Sequence, residues 1–440
     1  MTASIWIDDG MIAAPDKELC KQYRDIVRND LRKAGWRWNS KSEWEVKQTG
    51  EYLGFIINTI QFIFSIPEKK IEKLKKFILS LLNNYKWILV RDICRFTGFL
   101  NSLFIAIGRE VRLFSRHLNV EIDNSPGYNY HIKLSPGSIE ELKFWLSHVD
   151  ALKGYPIRRV FSCKYSIYVD AAEFGFGGYL TLKNIYQNPI FCHFEAYEIG
   201  TSSTYRELKA IYSVIKMYSN ILKNEKVKIF CDNKGAVSIL GKGSPIPELN
   251  ELSIQIYSHS IQYNIVYEGQ WLPRGFMDKA DFLSKCYDPD DYQLNPVLFK
   301  MINNIFGPFT IDRMADDCNH QLANFNSKWF SEKSSAVDTF TQDWGGHNNY
   351  CFPAPNDFIQ VVNHMKFCKA KGCVILPDWK GHKNFPIIKN SKNITKQWIL
   401  PKMNAMISLG KGGRAMYIDS VSKFDGIPDF DVIAYYFDFS

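Results

Sequence analysis

Four carboxylates stand where a fold would fix them rather than leave them free. Asp170 ends the apolar run "YSIYV", and Asp232 ends "VKIFC". Glu207 lies one to two turns into "SSTYRELKAIYSVIKMYSNIL", and Asp281 lies near the start of the helical "DKADFLSK". If the two apolar runs are parallel neighbours in a sheet, both aspartates emerge at one edge, and a helix packed on that sheet can bring Glu207 to them. Carboxylates so close repel and are costly to desolvate unless divalent cations that favour hard oxygen ligands compensate. Two Mg²⁺ ions held there, with Mn²⁺ as a substitute, suit in-line phosphodiester cleavage: one activates water and the other stabilises the leaving oxygen. Each residue also has an ordinary use. Asp232, followed by Asn233 and Gly235, suits a turn or helix cap, Glu207 an exposed helix face, and Asp281 a first helical turn. The set, in this order, is what points to chemistry.

A second acidic feature comes much earlier, in "IWIDDGMIAA". Asp8 and Asp9 are adjacent like charges between apolar residues, which a cation or solvent must compensate. Three other features carry less. His364, Cys368 and Cys373 have the wrong spacing for a standard zinc site, and the ten cysteines include no CxxC pair, so free thiols are expected. The lysines at 69, 70, 73, 75 and 76 flank an apolar stripe of Ile71, Leu74, Ile78 and Leu81. That pattern fits an amphipathic helix with a solvated basic face, or a face along a phosphate backbone.

The elements that must position these residues can be read from patterning. At 440 residues, with 46% hydrophobic and 15% aromatic content, the chain should form two to four compact units. Its 54 basic against 46 acidic residues, a net +8, mildly favour a polyanionic partner. The apolar runs are too short to span a membrane, and "MTASIWIDDG" lacks the layout of a signal peptide, so an intracellular protein, cytoplasmic or nuclear, is expected. A helix ending at Gly35 precedes two apolar runs, "EYLGFIIN" and "IQFIFSIP", which read as hairpin strands. A long helical stretch opens after Pro67, and 123–138 reads as a linker. From about Arg158 a strand, strand, strand, helix, strand order predicts an α/β sheet with an antiparallel opening.

The acidic blocks carry a family resemblance. "YVDAAEFGFGGYL", "SSTYRELKAI", "IFCDNKGAVSIL" and "WLPRGFMDKADFLSK" resemble the D–E–D–D blocks of retroelement ribonuclease H domains. The resemblance implies cleavage of the RNA strand of RNA–DNA hybrids by two Mg²⁺ ions bound at Asp170, Glu207, Asp232 and Asp281. Asp170 would bridge both metals. Glu207 and Asp232 would bind the ion that orients the leaving 3′ oxygen, and Asp281 would help hold the ion that activates water. A histidine common before the last helix has no counterpart; "WLPRG" offers Arg274.

"IWIDDG" then looks like the metal-binding hairpin of a reverse transcriptase palm, and "LRKAGWRWNSKSEW" with "EYLGF" is similar to the next two palm blocks. Only four residues precede Ile5, so the upstream metal-binding Asp and the fingers are expected to be absent from this chain. Asp8 and Asp9 are expected to be the remnant of a polymerase site, without polymerase activity. The region from "YDPDDYQL" to "VILPDW" resembles the segment C-terminal to ribonuclease H in DIRS-type, tyrosine-recombinase retrotransposons. It also weakly resembles phage-type adenine-N6 methyltransferases, through Asp312, Asp343 and "CFPAPND". There Phe352 stands where an amide or carboxylate is needed, and a phenyl ring cannot accept that hydrogen bond.

The expected architecture is therefore a multi-domain α/β protein. Residues 1–66 would be the C-terminal part of a palm, 67–150 a helical thumb and connection, 158–286 a ribonuclease-H-like mixed sheet with flanking helices, and 287–440 a degenerate methyltransferase-like α/β region. Expected partners are RNA–DNA hybrid and other nucleic acid, with no membrane. The alternative is a catalytically inert retroelement remnant that binds nucleic acid.

Overall fold

In the computed structural model, residues 2–6, 9–40, 42–152, 154–157, 162–286, 292–379, 388–409 and 427–440 are described, with backbone alone at 2–6, 9 and 409. By contact the chain divides into two compact units, Met1–Ser162 with Ser238–Ile254 and Cys163–Val237 with Gln255–Ser440. The segments 1–66 and 67–150 both fall in the first unit.

The first unit opens on an antiparallel hairpin, β1 (Thr2–Trp6) and β2 (Asp9–Ala13), with Trp6 opposite Asp9. Asp8 lies outside the described residues, and Asp9 is described as backbone only. Helix α1 (Lys17–Lys33) begins at an Asp16 cap that accepts from the Leu19 N–H, and it ends on Arg32 and Lys33. The two apolar runs form more than one hairpin. Strands β3 (Thr49–Tyr52), β4 (Phe55–Asn58) and β5 (Ile63–Ser65) make an antiparallel sheet that β8 (Tyr155–Pro156) joins from far along the chain.

Helix α2 (Glu68–Asn83) buries Leu74, Ile78 and Leu81, three of the four stripe residues. Its basic face is partly committed: Lys75 pairs with Asp150, Lys70 lies over the Phe55 ring, and Lys73 lies over Phe99. The core continues through α3 (Val90–Ser102), short turns α4 (Phe104–Ile107) and α5 (Glu110–Leu113), α6 (Arg116–Asp123) and α7 (Pro136–His148). Trp145 is fully buried there and donates its indole N–H to the Phe114 carbonyl at 2.7 Å. Buried Glu141 accepts from the backbone N–H groups of His117 and Leu118 and sits 3.1 Å from His117 Nδ1. The stretch read as a linker contains β7 (His131–Ile132), paired to β6 (Ile88–Leu89). Two-residue strands leave no alternation to detect.

The second unit is built on a mixed sheet of β9 (Tyr165–Ala171), β10 (Gly175–Leu182), β11 (Ile185–His193), β12 (Lys226–Cys231) and β13 (Val266–Trp271), in the order β11-β10-β9-β12-β13. The first three are antiparallel, and β12 runs parallel to β9 and β13. Helices α8 (Ser203–Met217) and α12 (Asp278–Ser284) pack on it, α9 (Ser219–Leu222) leads into β12, and the division between units falls within α10 (Lys234–Lys242) and α11 (Pro247–Gln262). One face carries stacked Tyr168, Tyr179 and Phe230 beneath Met277, Ala280 and Leu283 of the α12 segment.

Strand β10 can lie between two helices because it carries glycines on both faces. A Cβ at Gly177 would sit 2.3 Å from the Ser284 backbone nitrogen, and one at Gly178 would meet Val214 of α8 at 3.1 Å. Gly177 lies opposite Asp170 in the ladder, so this close approach sets the last helix beside the aspartate.

The same unit continues into a second five-stranded sheet. Its strands are β15 (Ile311–Asp312), β18 (Asn348–Cys351), β19 (Lys371–Pro377), β20 (Ile394–Ile399) and β22 (Val432–Asp438), in the order β15-β18-β19-β22-β20. β15, β18 and β19 are parallel, and β22 runs antiparallel between β19 and β20. Helices α13 (Pro296–Phe306) and α14 (Phe358–Phe367) cover it, with two small ladders, β14 (Tyr292–Leu294) with β21 (Ile407–Leu409) and β16 (Asn326–Ser327) with β17 (Ala336–Val337).

Candidate active site

Asp170 and Asp232 do emerge together, because β9 and β12 are adjacent and parallel, with Phe230 opposite Tyr168. Helix α8 starts at a Ser202 cap that accepts from the Tyr205 N–H, which places Glu207 in its second turn, buried against the strand ends. Arg206 beside it donates to the Ala172 carbonyl at 2.7 Å and ties the helix start to the end of β9. Asp170 and Glu207 are 4% and 5% exposed, so two carboxylates are held almost out of water.

The electrostatics reflect that burial. Glu207 is pushed up to about 9, by desolvation first and then by the neighbouring charges of Asp170 and Asp232. Asp170 is also raised by burial, although Ser284 Oγ donates to its Oδ2 at 2.6 Å and opposes the shift. Glu207, Cys231 and Asp232 have ligand atoms all within 4.8 Å of one another. The Cys231 thiol donates to Glu207 Oε2 at 3.6 Å and is itself pushed upward by burial.

The donor set fits a hard divalent cation: the Glu207 and Asp232 carboxylates cluster, and Asp170, outside that cluster but electrostatically coupled to both, adds a third charge to a site that is costly for negative charge alone. The ordinary use of Asp232 as a cap falls instead to Asn233, whose Oδ1 accepts from the Ala236 N–H at 2.9 Å. Among the described residues, the Asp232 carboxylate takes no hydrogen bond or ion pair. Its backbone carbonyl accepts from the Trp271 indole at 2.8 Å, and Lys234 lies 4.4 Å over that ring.

Asp281 is differently placed. Arg274 reaches its Oδ1 at 2.7 Å and Lys285 its Oδ2 at 2.6 Å. Partial burial raises the group, but these two cations outweigh that and hold it below the usual carboxylate range. It is electrostatically coupled to Asp170 and, like Asp170, is not one of the three groups whose ligand atoms cluster.

Sequence reading missed Ser284, whose signal was its place three residues after Asp281 on one helix face. It missed Gly177 as well, although glycines inside a strand mark close backbone approach. Elsewhere, Asp312 is fully buried and pushed up by desolvation to about 7, accepting from the Gln321 and Met314 N–H groups. Asp343 accepts from the Gly345 N–H within its own loop, and Phe352 packs against the core of the second sheet. His364 Nε2 bonds the Gln342 carbonyl, whereas Cys373 is buried in β19.

No family model and no curated protein matches the chain. Among solved structures, it is similar to the foamy viral protease–reverse transcriptase in complex with double-stranded DNA, at 14% identity and a TM-score of 0.31. That match covers 61% of this chain and 46% of the viral one, so the chain spans less than half of that polypeptide. It is similar to the N-terminal ribonuclease H domain of a Mycobacterium tuberculosis protein, at 17% identity and TM-score 0.24, over 28% of this chain and 91% of that one. LC11 ribonuclease H1 in complex with an RNA/DNA hybrid matches at 20% identity and TM-score 0.23, over 27% and 93%. None of these bears on the methyltransferase likeness of residues 287–440. No helix among the described residues is long and apolar enough to cross a membrane.

Proposed function

We propose that the second unit hydrolyses the RNA strand of RNA–DNA hybrids, using two Mg²⁺ ions, or Mn²⁺ in their place, held by Asp170, Glu207, Asp232 and Asp281. The observation that carries this reading is the convergence of the Asp170, Glu207 and Asp232 carboxylates at the ends of β9 and β12, with Glu207 raised to about 9 when no cation is present. When bound, the ions would activate the attacking water and stabilise the leaving 3′ oxygen.

The chain's own residues hold the rest. Ser284 fixes Asp170 through its hydroxyl, and the Trp271 indole fixes the backbone that presents Asp232. Asp281 pins one edge of the Arg274 guanidinium while most of that side chain stays exposed, so its remaining N–H groups are open to phosphate oxygens. Arg274 thus offers a cation at the position where the resemblance leads one to look for histidine. Hybrid recognition would rest on backbone phosphates and 2′-hydroxyls rather than on sequence.

On this reading the chain is part of a DIRS-type retrotransposon polyprotein, with the four segments at 1–66, 67–150, 158–286 and 287–440 and with Asp8 and Asp9 as the acidic pair of a palm hairpin. Its support is the set of sequence blocks and the β1–β2 hairpin. Residues 287–440 would serve as a structural or nucleic-acid-binding part, in keeping with the half-buried Phe352 ring, which offers no hydrogen-bond acceptor where a methyltransferase loop needs one. The second reading, an inert remnant that binds nucleic acid, draws on Asp281 being neutralised by two cations.

Cleavage of a labelled RNA–DNA hybrid by purified protein tests both, with Mg²⁺, with EDTA, and with Asp232→Asn. Metal-dependent cutting that the variant loses supports the nuclease. A folded, hybrid-binding protein that does not cut leaves the inert remnant.

A further inference from the structure

The first unit presents an aromatic surface that its core does not use. The two-residue ladder β6–β7 sets Ile88 opposite Ile132 and Leu89 opposite His131. Alternation sends Ile88 into the core, where it is 3% exposed beside buried Val90 and Leu134, and turns Trp87 and His131 to the other side. There the Trp87 and His131 rings stack, with centroids 4.9 Å apart and planes within 5°. Trp87 is nevertheless 70% exposed, so its second face meets solvent.

The platform is held rigidly. Val90 N–H donates to the Tyr130 carbonyl, Arg91 N–H to the Tyr128 carbonyl, and Leu134 N–H to the Tyr85 carbonyl, at 2.9 to 3.0 Å. Tyr128 and Tyr130 are themselves 62% and 56% exposed. Three basic residues lie close to the rings in sequence. Lys86, Arg91 and Lys133 are exposed, and none forms an ion pair among the described residues. The runs from Asn84 to Arg91 and from Asn124 to Leu134 carry no acid; Asp92 and Asp123 adjoin them, and Asp92 is paired with Arg95. An open indole face fixed by a stacked partner, on a segment carrying Lys86, Arg91 and Lys133, matches an unpaired nucleobase and its flanking phosphates.

We propose that the Trp87–His131 stack is a platform for an unpaired base of single-stranded nucleic acid, with Lys86, Arg91 and Lys133 taking the adjacent phosphates. The site lies in the first unit and stands whether or not the second unit cuts hybrids. Base stacking tolerates any sequence, because every base offers a π face, so binding should show little base preference.

The test is fluorescence anisotropy of the full chain against labelled oligo-dT and oligo-rU of about 15 nucleotides, within the range that single-strand-binding folds cover, and against a blunt duplex of equal length. Trp87→Ala should weaken single-strand binding by about 5- to 150-fold, the span for loss of one base stack. Trp87→Phe should retain most of the binding, and Trp36→Ala, which removes a tryptophan 64% exposed in the same unit, should bind like the parent. Thermal melts of all three should overlay that of the parent, since neither indole is in the core. A difference between the dT and rU arms names the strand chemistry and leaves the platform intact. The proposal is overturned if the parent binds neither strand or if Trp87→Ala binds as the parent does. Equal losses in Trp36→Ala and Trp87→Ala, or an equal loss of duplex binding, also overturn it.

Discussion

Glu207→Gln should stabilise the cation-free protein while removing its metal response. In the folded protein the Glu207 carboxyl is raised from 4.5 to about 9 by burial and by Asp170 and Asp232. In the unfolded chain it ionises normally. Folding therefore takes up a proton at this position, at a free-energy cost that is absent below the unfolded value and grows as pH rises towards 9. At pH 7 the interval above 4.5 is about 2.5 pH units, which corresponds to about 3 kcal/mol, and above pH 9 the full shift corresponds to about 6 kcal/mol. Glutamine keeps the shape and an oxygen for the Cys231 thiol but carries no ionisable proton. At roughly 2–4 °C per kcal/mol for a unit of this size, the variant should melt about 6–12 °C higher at pH 7 in EDTA. The assay is a set of melts from pH 5 to 9, with EDTA and with excess Mg²⁺. The parent should lose stability as pH rises in EDTA and regain it with Mg²⁺, while the variant should respond weakly to both. Parallel pH slopes, or a variant less stable than the parent at pH 8 in EDTA, would refute the argument.

Two further outcomes rest on the packing. Gly177→Ala would place a Cβ 2.3 Å from the Ser284 nitrogen and 2.4 Å from the Leu283 carbonyl carbon, so it should destabilise the second unit by about 3 kcal/mol and displace α12. Urea unfolding should register that loss, with a smaller one for Gly178→Ala, where the nearest contacts are 3.0–3.1 Å. In the first unit His117 is raised above its ordinary value, chiefly by its hydrogen bond to Glu141. That stabilisation should be fully present below the unfolded histidine pKa and fade as pH rises through the raised folded one. His117→Asn should flatten this dependence in urea titrations of the first unit and cost about 1 kcal/mol at pH 6.

Much of the candidate site was legible because two signals coincided there. Apolar runs that end in an acid mark strand termini, and Asp170 and Asp232 sit at such ends in adjacent parallel strands. Glu207 was legible as a helix residue but not as a buried one, since its burial depends on how α8 lies on β9. Asp281 was placed on the right helix, yet its pairing with Arg274 and Lys285 arises from rotamers that no spacing rule fixes. Asp232 was the residue read as a possible cap, and the backbone geometry gives that place to Asn233 instead. The β6–β7 ladder and the joining of β8 to β5 were invisible for another reason: such short pairings are dictated by the surrounding core rather than by their own residues.

The buried carboxylates also bear on how this chain can change over generations. The Asp232 side chain makes no hydrogen bond or ion pair among the described residues, and Glu207 stands in a position where a neutral residue would fold more easily. A lineage released from selection on chemistry would thus meet no folding barrier to losing Asp232, and would gain robustness by losing Glu207. Gly177 behaves oppositely, because almost any replacement there breaks the packing whether or not the site is used. Comparing how freely these positions vary among descendants would therefore separate selection for a fold from selection for a reaction.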